Sequence, residues 1–493
     1  MIHSWTDARP KPLRTPLLAT VIIIAIAACT GLLLIKLGPY FGPAIAVGLI
    51  VVFGMLLSPL FSLLVIVATL TAQWPFQLPK LVGIVGLAST AVWCMVRRRR
   101  LVVTDPLFLL TLAFVGAVLI SVVTAETRSG IVRSASPYLS FAAMFWMMLV
   151  VVESERALKL VVGIFLVSNL ANALIGLVQY KIHFIWIVSQ VRALQDAGIP
   201  VEVQIHHGFR GVLRIDALTG TPDLLAMNMV ATIPFAVVGV WRARNAPQRL
   251  GWLAVLAIMT IALGLTYSRG SIVGLTVVGL VIVGKLGLRK ASPLILVAGA
   301  LVCALLILSP TARDRVVSSN PFRSNTIESD TGQLEAAAWR LKTYKYGLYM
   351  MRDRALMPAG VDQQPFLWSQ YAPHLVPEGA EWTAPLHNTY MLSVIELGVW
   401  GGALYLAVLI VTWRTLRAAR KRLLEQGRDD LASFALAGEL AIVGIAVANQ
   451  FYPLIEFRYF WFLAALAAVL LRLSYRFESA WPIKNSPRNA AHK

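Results

Sequence analysis

Residues 384–412 read APLHNT followed by YMLSVIELGVWGGALYLAVLIVT, so a polar stretch ends directly on a long apolar run. The run from Tyr390 to Thr412 contains one charged residue, Glu396. A helix of about 20 apolar residues is long enough to cross the roughly 30 Å hydrocarbon core of a bilayer. The sequence therefore predicts a transmembrane helix that begins at the edge of a polar segment, immediately after His387.

Similar apolar runs recur along the whole chain. Of its 493 residues, 58% are hydrophobic and only 14% are charged, which excludes an ordinary soluble protein. The runs are too long for barrel strands, and every backbone group in lipid needs an internal partner. We therefore expect an all-α, polytopic membrane helical bundle of about 12–14 spans. The predicted spans are 17–35, 41–57, 60–77, 81–96, 106–123, 136–152, 158–178, 222–241, 250–266, 271–284, 292–309, 390–412, 431–449 and 457–473.

Basic residues cluster in short loops beside these spans. The clusters lie at 97–100, 242–249, 285–290 and 414–422. Because Lys and Arg concentrate in cytoplasmic loops, this side, together with both termini, is predicted to face the cytoplasm. The same placement explains the net charge of +20 without nucleic acid as a partner.

The two longest polar segments fall on the opposite, periplasmic side. We expect four regions: a transmembrane bundle at 1–309 with an outer loop at 179–221, a periplasmic loop domain at 310–388, C-terminal transmembrane helices at 389–475, and a cytoplasmic tail at 476–493. Within the loop domain, apolar residues recur at helical spacing from Leu334 to Met351. This pattern predicts an amphipathic helix, which lies along the membrane surface or roofs the bundle.

Four side chains on the periplasmic side carry the candidate chemistry, namely Arg210, Arg214, Arg269 and His387. A guanidinium fork matches phosphate oxygens, and a histidine suits proton abstraction from a hydroxyl near neutral pH. Arg269 lies in a turn, 267–271, that is too short to hide it. The ordinary alternatives are a boundary arginine that binds lipid headgroups and a structural histidine.

Other polar residues within the apolar runs have a more ordinary interpretation. Glu396 is an intramembrane carboxylate, and it is either functional or an ion-pair partner for an arginine. Asn169 and Asn172 are interpreted as hydrogen-bonding between helices. The pair His206–His207 has no partner at ligand spacing, so neither a metal nor a cofactor is expected. Cys29, Cys94 and Cys303 are interpreted as small core residues.

Several of these stretches together resemble the O-antigen ligase and O-antigen polymerase superfamily. The resemblance rests on Tyr267–Gly270, on the helix Arg340–Asp353 followed by Pro358–Gly360, on His387–Tyr390, and on ELGVWG at 396–401. The order of these motifs, with one large outer loop before the third-last span, is more specific than any one of them. The resemblance implies a GT-C-like helical membrane fold.

The resemblance also implies an activity. Such a protein moves a glycan from undecaprenyl pyrophosphate to an acceptor at the periplasmic face of the bacterial inner membrane, with inversion and without metal or cofactor. By position, Arg269 and one of Arg210 and Arg214 would hold the pyrophosphate. His387 would activate the acceptor hydroxyl, with Glu396 and Arg340 in support.

The chain departs from the family pattern at two places. The family often has Pro-Asn where this chain has Pro222-Asp223, which leaves the choice between Arg210 and Arg214 open. A glycine that usually follows the amphipathic helix is replaced by Asp362. The turn at that position is therefore expected to differ.

The acceptor and the class of function remain open at this level. The acceptor is a lipid A core, a growing glycan or a protein, so ligase, polymerase and protein O-oligosaccharyltransferase are all compatible with the motifs. A lipid-linked-sugar flippase or transporter would place ionisable groups near the midplane and show internal repeats. A scaffold for a polysaccharide assembly complex is the least specific alternative. Membrane lipids and polysaccharide assembly proteins are the expected partners beside donor and acceptor.

Overall fold

The computed structural model describes residues 42–73, 78–98, 104–125, 131–182, 207–208, 212–288, 295, 299, 336–373 and 386–480. These residues are almost entirely helical. In chain order the helices are α1 (Gly42–Leu57), α2 (Pro59–Thr69), α3 (Leu78–Val96), α4 (Pro106–Ser121), α5 (Ile131–Val151), α6 (Glu155–Ile182), α7 (Pro222–Arg242), α8 (Ala246–Leu265), α9 (Arg269–Leu286), α10 (Ala336–Arg354), α11 (Trp368–Tyr371), α12 (Thr389–Glu425), α13 (Asp429–Ala448) and α14 (Arg458–Ala480). A 3₁₀ turn, Gln364–Leu367, precedes α11, and β1 (His207–Gly208) pairs antiparallel with β2 (Val212–Leu213).

The predicted helical membrane bundle is confirmed. Within the described ranges, 7 helices are long and apolar enough to cross a membrane, namely α3, α6, α7, α8, α12, α13 and α14. Helices α1, α2 and α4 are apolar but shorter, and α5 contains a shorter apolar stretch, Ala135–Val151. The predicted span 17–35, and nearly all of 292–309, lie outside the described residues.

The predicted span 60–77 is shorter in the structure, because α2 ends at Thr69. There the hydroxyls of Thr69 and Thr71 donate to the carbonyl oxygens of Ile66 (2.8 Å) and Ala68 (3.0 Å). Side-chain hydroxyls that bond backbone carbonyls compete with the helical pattern. With 11 residues, α2 covers roughly 16 Å, about half of the hydrocarbon core.

The core of the bundle centres on α14. Every side chain from Phe460 to Leu470 is no more than 1% exposed, as expected for a helix that is hydrophobic on all faces. Trp461 stacks on Phe141 of α5, with ring centroids 6.0 Å apart. Helix α14 is therefore the central helix of the bundle, and α5, α12 and α13 pack against it.

The two asparagines of α6 hydrogen-bond between elements, which confirms their interpretation. Tyr459 of α14 donates its hydroxyl to Asn169 Oδ1 at 2.8 Å. Asn172 Nδ2 donates to the carbonyl oxygen of Thr71 at 2.9 Å, and its Oδ1 accepts from Leu218 N at 3.0 Å. These buried amides therefore tie α6 to three separate parts of the chain.

Charged residues form ion pairs at the end of the bundle where α6 and α13 begin, called the ion-pair end below. The pairs join Glu155 to Lys159 (2.7 Å) and to Arg428, Lys159 to Asp430 (2.9 Å), Arg242 to Asp429 (3.3 Å), and Glu439 to Lys285 (2.6 Å) and Arg420 (3.4 Å). Most of these groups are partly exposed, where a single pair contributes about 0–1 kcal/mol. Glu439 is the exception, since its side chain is only 1% exposed.

The helix predicted over Leu334–Met351 is present as α10, Ala336–Arg354, and it packs on α12. Its packed face is centred on Thr343, Gly347 and Met350, and a Cβ on Gly347 would lie 2.8 Å from Met391 Cε of α12. The predicted apolar stripe is offset from this face, because Leu348 is 54% exposed. A side chain at position 347 would require the ends of the Met391 and Leu386 side chains to move.

Helix α12 is interrupted at Gly398, so the predicted single span consists of two helical segments. Gly398 has φ 74° and ψ 176°, which breaks the helical hydrogen bonds around it. The loop after α10 supplies new partners: Ala359 N donates to Ile395 O (2.9 Å), Gly360 N to Glu396 O (3.1 Å), and Val399 N to Ala355 O (2.7 Å). The loop after α10 is therefore attached to α12 through the backbone.

Asp362 occupies the position where the family has a glycine. It adopts the left-handed conformation itself, with φ 62°. Asp tolerates this region better than most residues. Asp362 therefore makes a left-handed turn after α10 without a glycine.

Candidate active site

Arg214 is fixed at the end of the bundle where α7, α9 and α12 begin, called the site end below. Its Nε donates to the carbonyl oxygen of Thr266 at 2.8 Å, and its Nη2 donates to Asp223 Oδ1 at 2.8 Å. The side chain is 22% exposed. A guanidinium carries five N–H donors, so these two contacts orient the group and leave others to serve an anionic ligand.

Two of the predicted site residues cannot be placed in the same way. Arg210 lies outside the described residues. Arg340 belongs to α10, of which only the backbone is described at that position. Both assignments stay predictions, whereas Arg214 now has a defined geometry.

Arg269 is the first residue of α9 and is exposed. Ser268, just before it, donates its hydroxyl to Asp223 Oδ1 at 2.5 Å. Asp223 thus binds Arg214 and the residue that precedes Arg269. One carboxylate oxygen connects the two arginine-bearing loops.

The sharp bend expected at Gly270 is made by Tyr267 instead. Tyr267 has φ 53°, whereas Gly270 is helical. Glycine is required at 270 for a different reason, since a Cβ there would lie 2.5 Å from Phe451 Cβ. The turn that presents Arg269 is therefore pressed against the segment between α13 and α14.

Tyr452 lies in that segment, and its hydroxyl caps the N-terminus of α9 although Tyr452 does not belong to that helix. The side chain of Ser268 does not cap α9; instead, the Tyr452 hydroxyl accepts from Ser271 N at 3.0 Å. The Tyr452 hydroxyl also lies 2.7 Å from Ser268 Oγ. Ser268 donates its only hydroxyl proton to Asp223. Ser268 Oγ is therefore the acceptor in its contact with Tyr452, and the Tyr452 hydroxyl is the donor. Burial, and secondarily the charge of Asp223, raise the pKa of Tyr452, so the hydroxyl keeps its proton at neutral pH.

His387 immediately precedes the cap of α12. Asn388 Oδ1 accepts from Tyr390 N and from Met391 N, both at 3.0 Å, as an N-cap residue does. The hydroxyl of Tyr344, on α10, lies 2.5 Å from the carbonyl oxygen of Gln450 and 2.9 Å from that of His387, so the two carbonyls share its single proton. The backbone at His387 is thus held between the bundle and α10, and the side chain is partly exposed.

The start of α12 is bound to the same segment as the start of α9. Thr389 Oγ1 donates to the carbonyl oxygen of Tyr452 at 2.6 Å and accepts from Leu454 N at 3.0 Å. Asn388 Nδ2 donates to Gln450 Oε1 at 3.1 Å. We call residues 449–457 the hub loop, because Tyr452 contacts α9 through its side chain and α12 through its main chain.

Sequence reasoning missed the hub loop and the role of Asp223. The hub loop has no motif and lies in a short gap between two predicted spans. The sequence marks Asp223 only as a departure from the Pro-Asn pattern of the family that the chain resembles. The available signal was the polar and aromatic content of Asn449-Gln450-Phe451-Tyr452, which is unusual for a turn that only reverses the chain.

Glu396 is buried, with 4% of its surface exposed. Gln364 N lies 3.4 Å from its Oε1, and Gln364 Oε1 in turn accepts from Leu386 N at 2.7 Å. Among the described residues, its hydrogen-bond contacts are with backbone N–H groups rather than with an arginine. Glu396 therefore supports the segment that ends at His387, and its part in the chemistry stays a prediction.

Comparison with known families agrees with this arrangement. Residues 254–406 match a family model described as O-antigen ligase. The matched segment runs from α8 into α12 and contains both Arg269 and His387. No curated protein is significantly similar in sequence to the chain. The chain therefore carries, at residues 254–406, a segment similar to O-antigen ligases, and it is a multi-pass helical membrane protein.

Proposed function

We propose that this protein is a metal-independent, inverting glycosyltransferase. It transfers an oligo- or polysaccharide from undecaprenyl pyrophosphate to an acceptor hydroxyl at the periplasmic face of the bacterial inner membrane. One observation carries the proposal: hydrogen bonds through Asp223 and Tyr452 join Arg214, the turn before Arg269 and the start of α12 beside His387. The three loops proposed to act together are thus tied to one another.

On the donor side, Arg214 and Arg269 bind the pyrophosphate. When the acceptor oxygen attacks the anomeric carbon, the bond from that carbon to the pyrophosphate oxygen breaks. The pyrophosphate leaves with the electron pair, and its negative charge increases. Guanidinium groups held in place before the reaction stabilise that charge without rearrangement.

On the acceptor side, His387 takes the proton of the attacking hydroxyl. A general base of this kind contributes about 10²–10⁴-fold to the rate. The cap at Asn388 and the bond from Tyr344 fix the backbone of His387. Helix α10 packs against this segment, so the acceptor reaches the site beside it.

The acceptor is proposed to be a glycan, either a lipid A core or a growing chain of repeat units. The described outer segments include 207–208 and 212–221, with the two-residue strands β1 and β2, and 336–373 and 386–388, with one long helix, short turns and a cap. Apart from these two short strands, the described outer segments show no strand edge to which a peptide could add by main-chain hydrogen bonds. This favours a glycan over a protein as the acceptor.

The test uses the full-length protein in proteoliposomes with a lipid-linked glycan donor. His387→Ala is expected to lower transfer to acceptor by at least about 100-fold, while donor stays accessible on the acceptor side. His492→Ala, at the far end of the sequence, is the matched control and is expected to keep full transfer. Offering lipid A core, glycan and peptide acceptors in parallel identifies the acceptor class. The proposal fails if His387→Ala transfers glycan normally and the lipid-linked donor is trapped on the inner side, as a transporter would require.

A further inference from the structure

We infer that Asp223 is the positioning residue of the donor site and that its charge limits how tightly the pyrophosphate binds. This inference rests on the proposed function. It separates two properties of one side chain: the geometry that Asp223 imposes on the arginine loops, and the negative charge that it adds beside them.

The geometric part follows from which atom is used. Asp223 Oδ1 accepts both from Arg214 Nη2, at 2.8 Å, and from Ser268 Oγ, at 2.5 Å. Arg214 Nε also donates to Thr266 O, at 2.8 Å. The turn between α8 and α9 therefore holds the guanidinium at two points, directly through Thr266 and through Asp223. Moving this oxygen would shift Arg214 and the residue before Arg269 together.

An ordinary explanation exists for an acid at this position. Asp223 follows Pro222 in the first turn of α7, where the helix dipole stabilises a negative charge. However, the cap of α7 is supplied by Thr221, whose hydroxyl accepts from Leu224 N at 3.3 Å. The carboxylate of Asp223 is directed at two other loops instead. The ordinary explanation predicts a small effect on stability and none on ligand binding.

The charge of Asp223 is expected to lower the affinity for pyrophosphate, whereas the geometry that Asp223 imposes is expected to raise it. Asp223 and Arg214 are 33% and 22% exposed, so their charges are only partly screened. A pyrophosphate bound to Arg214 would lie close to the carboxylate and be repelled by it. The site therefore has the right shape for an anion but less positive potential than its arginines alone would give. Weaker binding of this kind favours release of the pyrophosphate product.

Two substitutions separate these effects. A carboxamide oxygen has two lone pairs, so Asp223→Asn keeps both hydrogen bonds to Oδ1 and removes only the charge. Asp223→Ala removes the charge and both bonds. We expect Asp223→Asn to bind a pyrophosphate more tightly than wild type, by about fivefold. Asp223→Ala is expected to bind more weakly, by about tenfold.

The experiment measures the affinity of the full-length protein in nanodiscs for farnesyl pyrophosphate, at low and at high salt. The gain in Asp223→Asn should shrink at high salt because screening weakens the repulsion. Asp353→Asn is the matched control: Asp353 forms a comparable ion pair with Arg352 at 2.8 Å on α10, and its loss should leave the affinity unchanged. A merely structural Asp223 could lower affinity but could not raise it.

The results separate this inference from the proposed function. If wild type binds the probe, Arg214→Ala weakens binding, and both Asp223 variants behave as wild type, the inference is wrong and the donor site stands. If Asp223→Asn binds more weakly than wild type, the effect assigned to its charge is wrong. If wild type itself does not bind the probe, the proposed donor site and this inference both fall.

Discussion

The two ends of the bundle use charge in different ways. At the ion-pair end, Lys285 and Arg420 share Glu439, and Arg242 pairs with Asp429, so basic side chains join helices to one another. At the site end, Arg214 shares its carboxylate partner with a serine hydroxyl, and Arg269 is exposed at the start of α9. Charges at the first end stabilise the bundle, whereas we propose that those at the second are held in place for a ligand.

This comparison leads to opposite expectations for substitutions at the two ends. At the ion-pair end, a change should alter stability and leave the transfer rate of the folded protein unchanged. At the site end, a change should alter binding or transfer more than stability. Each prediction below measures both quantities.

The largest effect on stability is expected for Glu439→Ala. Glu439 is 1% exposed and contacts Lys285 at 2.6 Å and Arg420 at 3.4 Å. Removing one partner of a buried pair costs roughly 3–5 kcal/mol. Because both cations here are about one-third exposed, we expect about 2–3 kcal/mol, as a lowered Tm in detergent. Glu425→Ala, in an exposed pair with Lys421, is the control and should change the Tm little. If the transfer rate fell in proportion to the Tm in both Glu439→Ala and Glu425→Ala, the proposed difference between the ion-pair end and the site end would be wrong.

Gly270→Ala is expected to have a smaller effect on stability and a larger one on transfer. The new Cβ would meet Phe451 Cβ at 2.5 Å, and overpacking of this kind costs about 1–3 kcal/mol. The start of α9 and the hub loop must move apart, which displaces Arg269. Gly279→Ala, in the same helix with nothing within 4 Å of its Cβ, is the control. Equal transfer by the two variants would show that the position of Arg269 does not matter.

Tyr452→Phe should have the mildest effect. It removes only the hydroxyl that contacts Ser268 and caps α9 at Ser271, and lost hydrogen bonds of this kind cost about 1–2 kcal/mol. Donor affinity should fall several-fold, because Ser268 loses the partner that fixes it beside Asp223. A Tm that falls with no change in donor affinity would make Tyr452 a purely structural residue.

Sequence reasoning predicted the parts of this arrangement that have local signals. Hydropathy identified the bundle, helical spacing identified α10, and the end of the polar segment placed His387 at the start of α12. Hydropathy could not reveal the break at Gly398, because ELGVWG continues the apolar run. The exposed Leu348 shows the same limit, since helical spacing gives a stripe but not which neighbour covers it.

The missing parts depend on contacts between residues far apart in the chain. Tyr452 contacts Ser268, which lies 184 positions away in the sequence, and no local sequence pattern predicts such a contact. Asp223 looks like any acid in a first helical turn until the position of Arg214 is known. The bonds of Arg214 to Thr266 and Asp223 likewise join separate segments of the chain, and the choice between Arg210 and Arg214 stays open.

The division of roles between arginine and histidine is the central claim, and single-turnover transfer in proteoliposomes tests it most directly. Donor affinity and the rate at saturating donor are measured separately for Arg269→Lys and His387→Ala. The account predicts that Arg269→Lys loses about tenfold in donor affinity, because lysine keeps the charge but not the fork, and retains most of the rate at saturation. His387→Ala should keep wild-type donor affinity and lose the rate by about 100-fold or more. The claim would be contradicted if both variants lost donor affinity, if both lost the rate at saturating donor, or if either variant behaved as wild type.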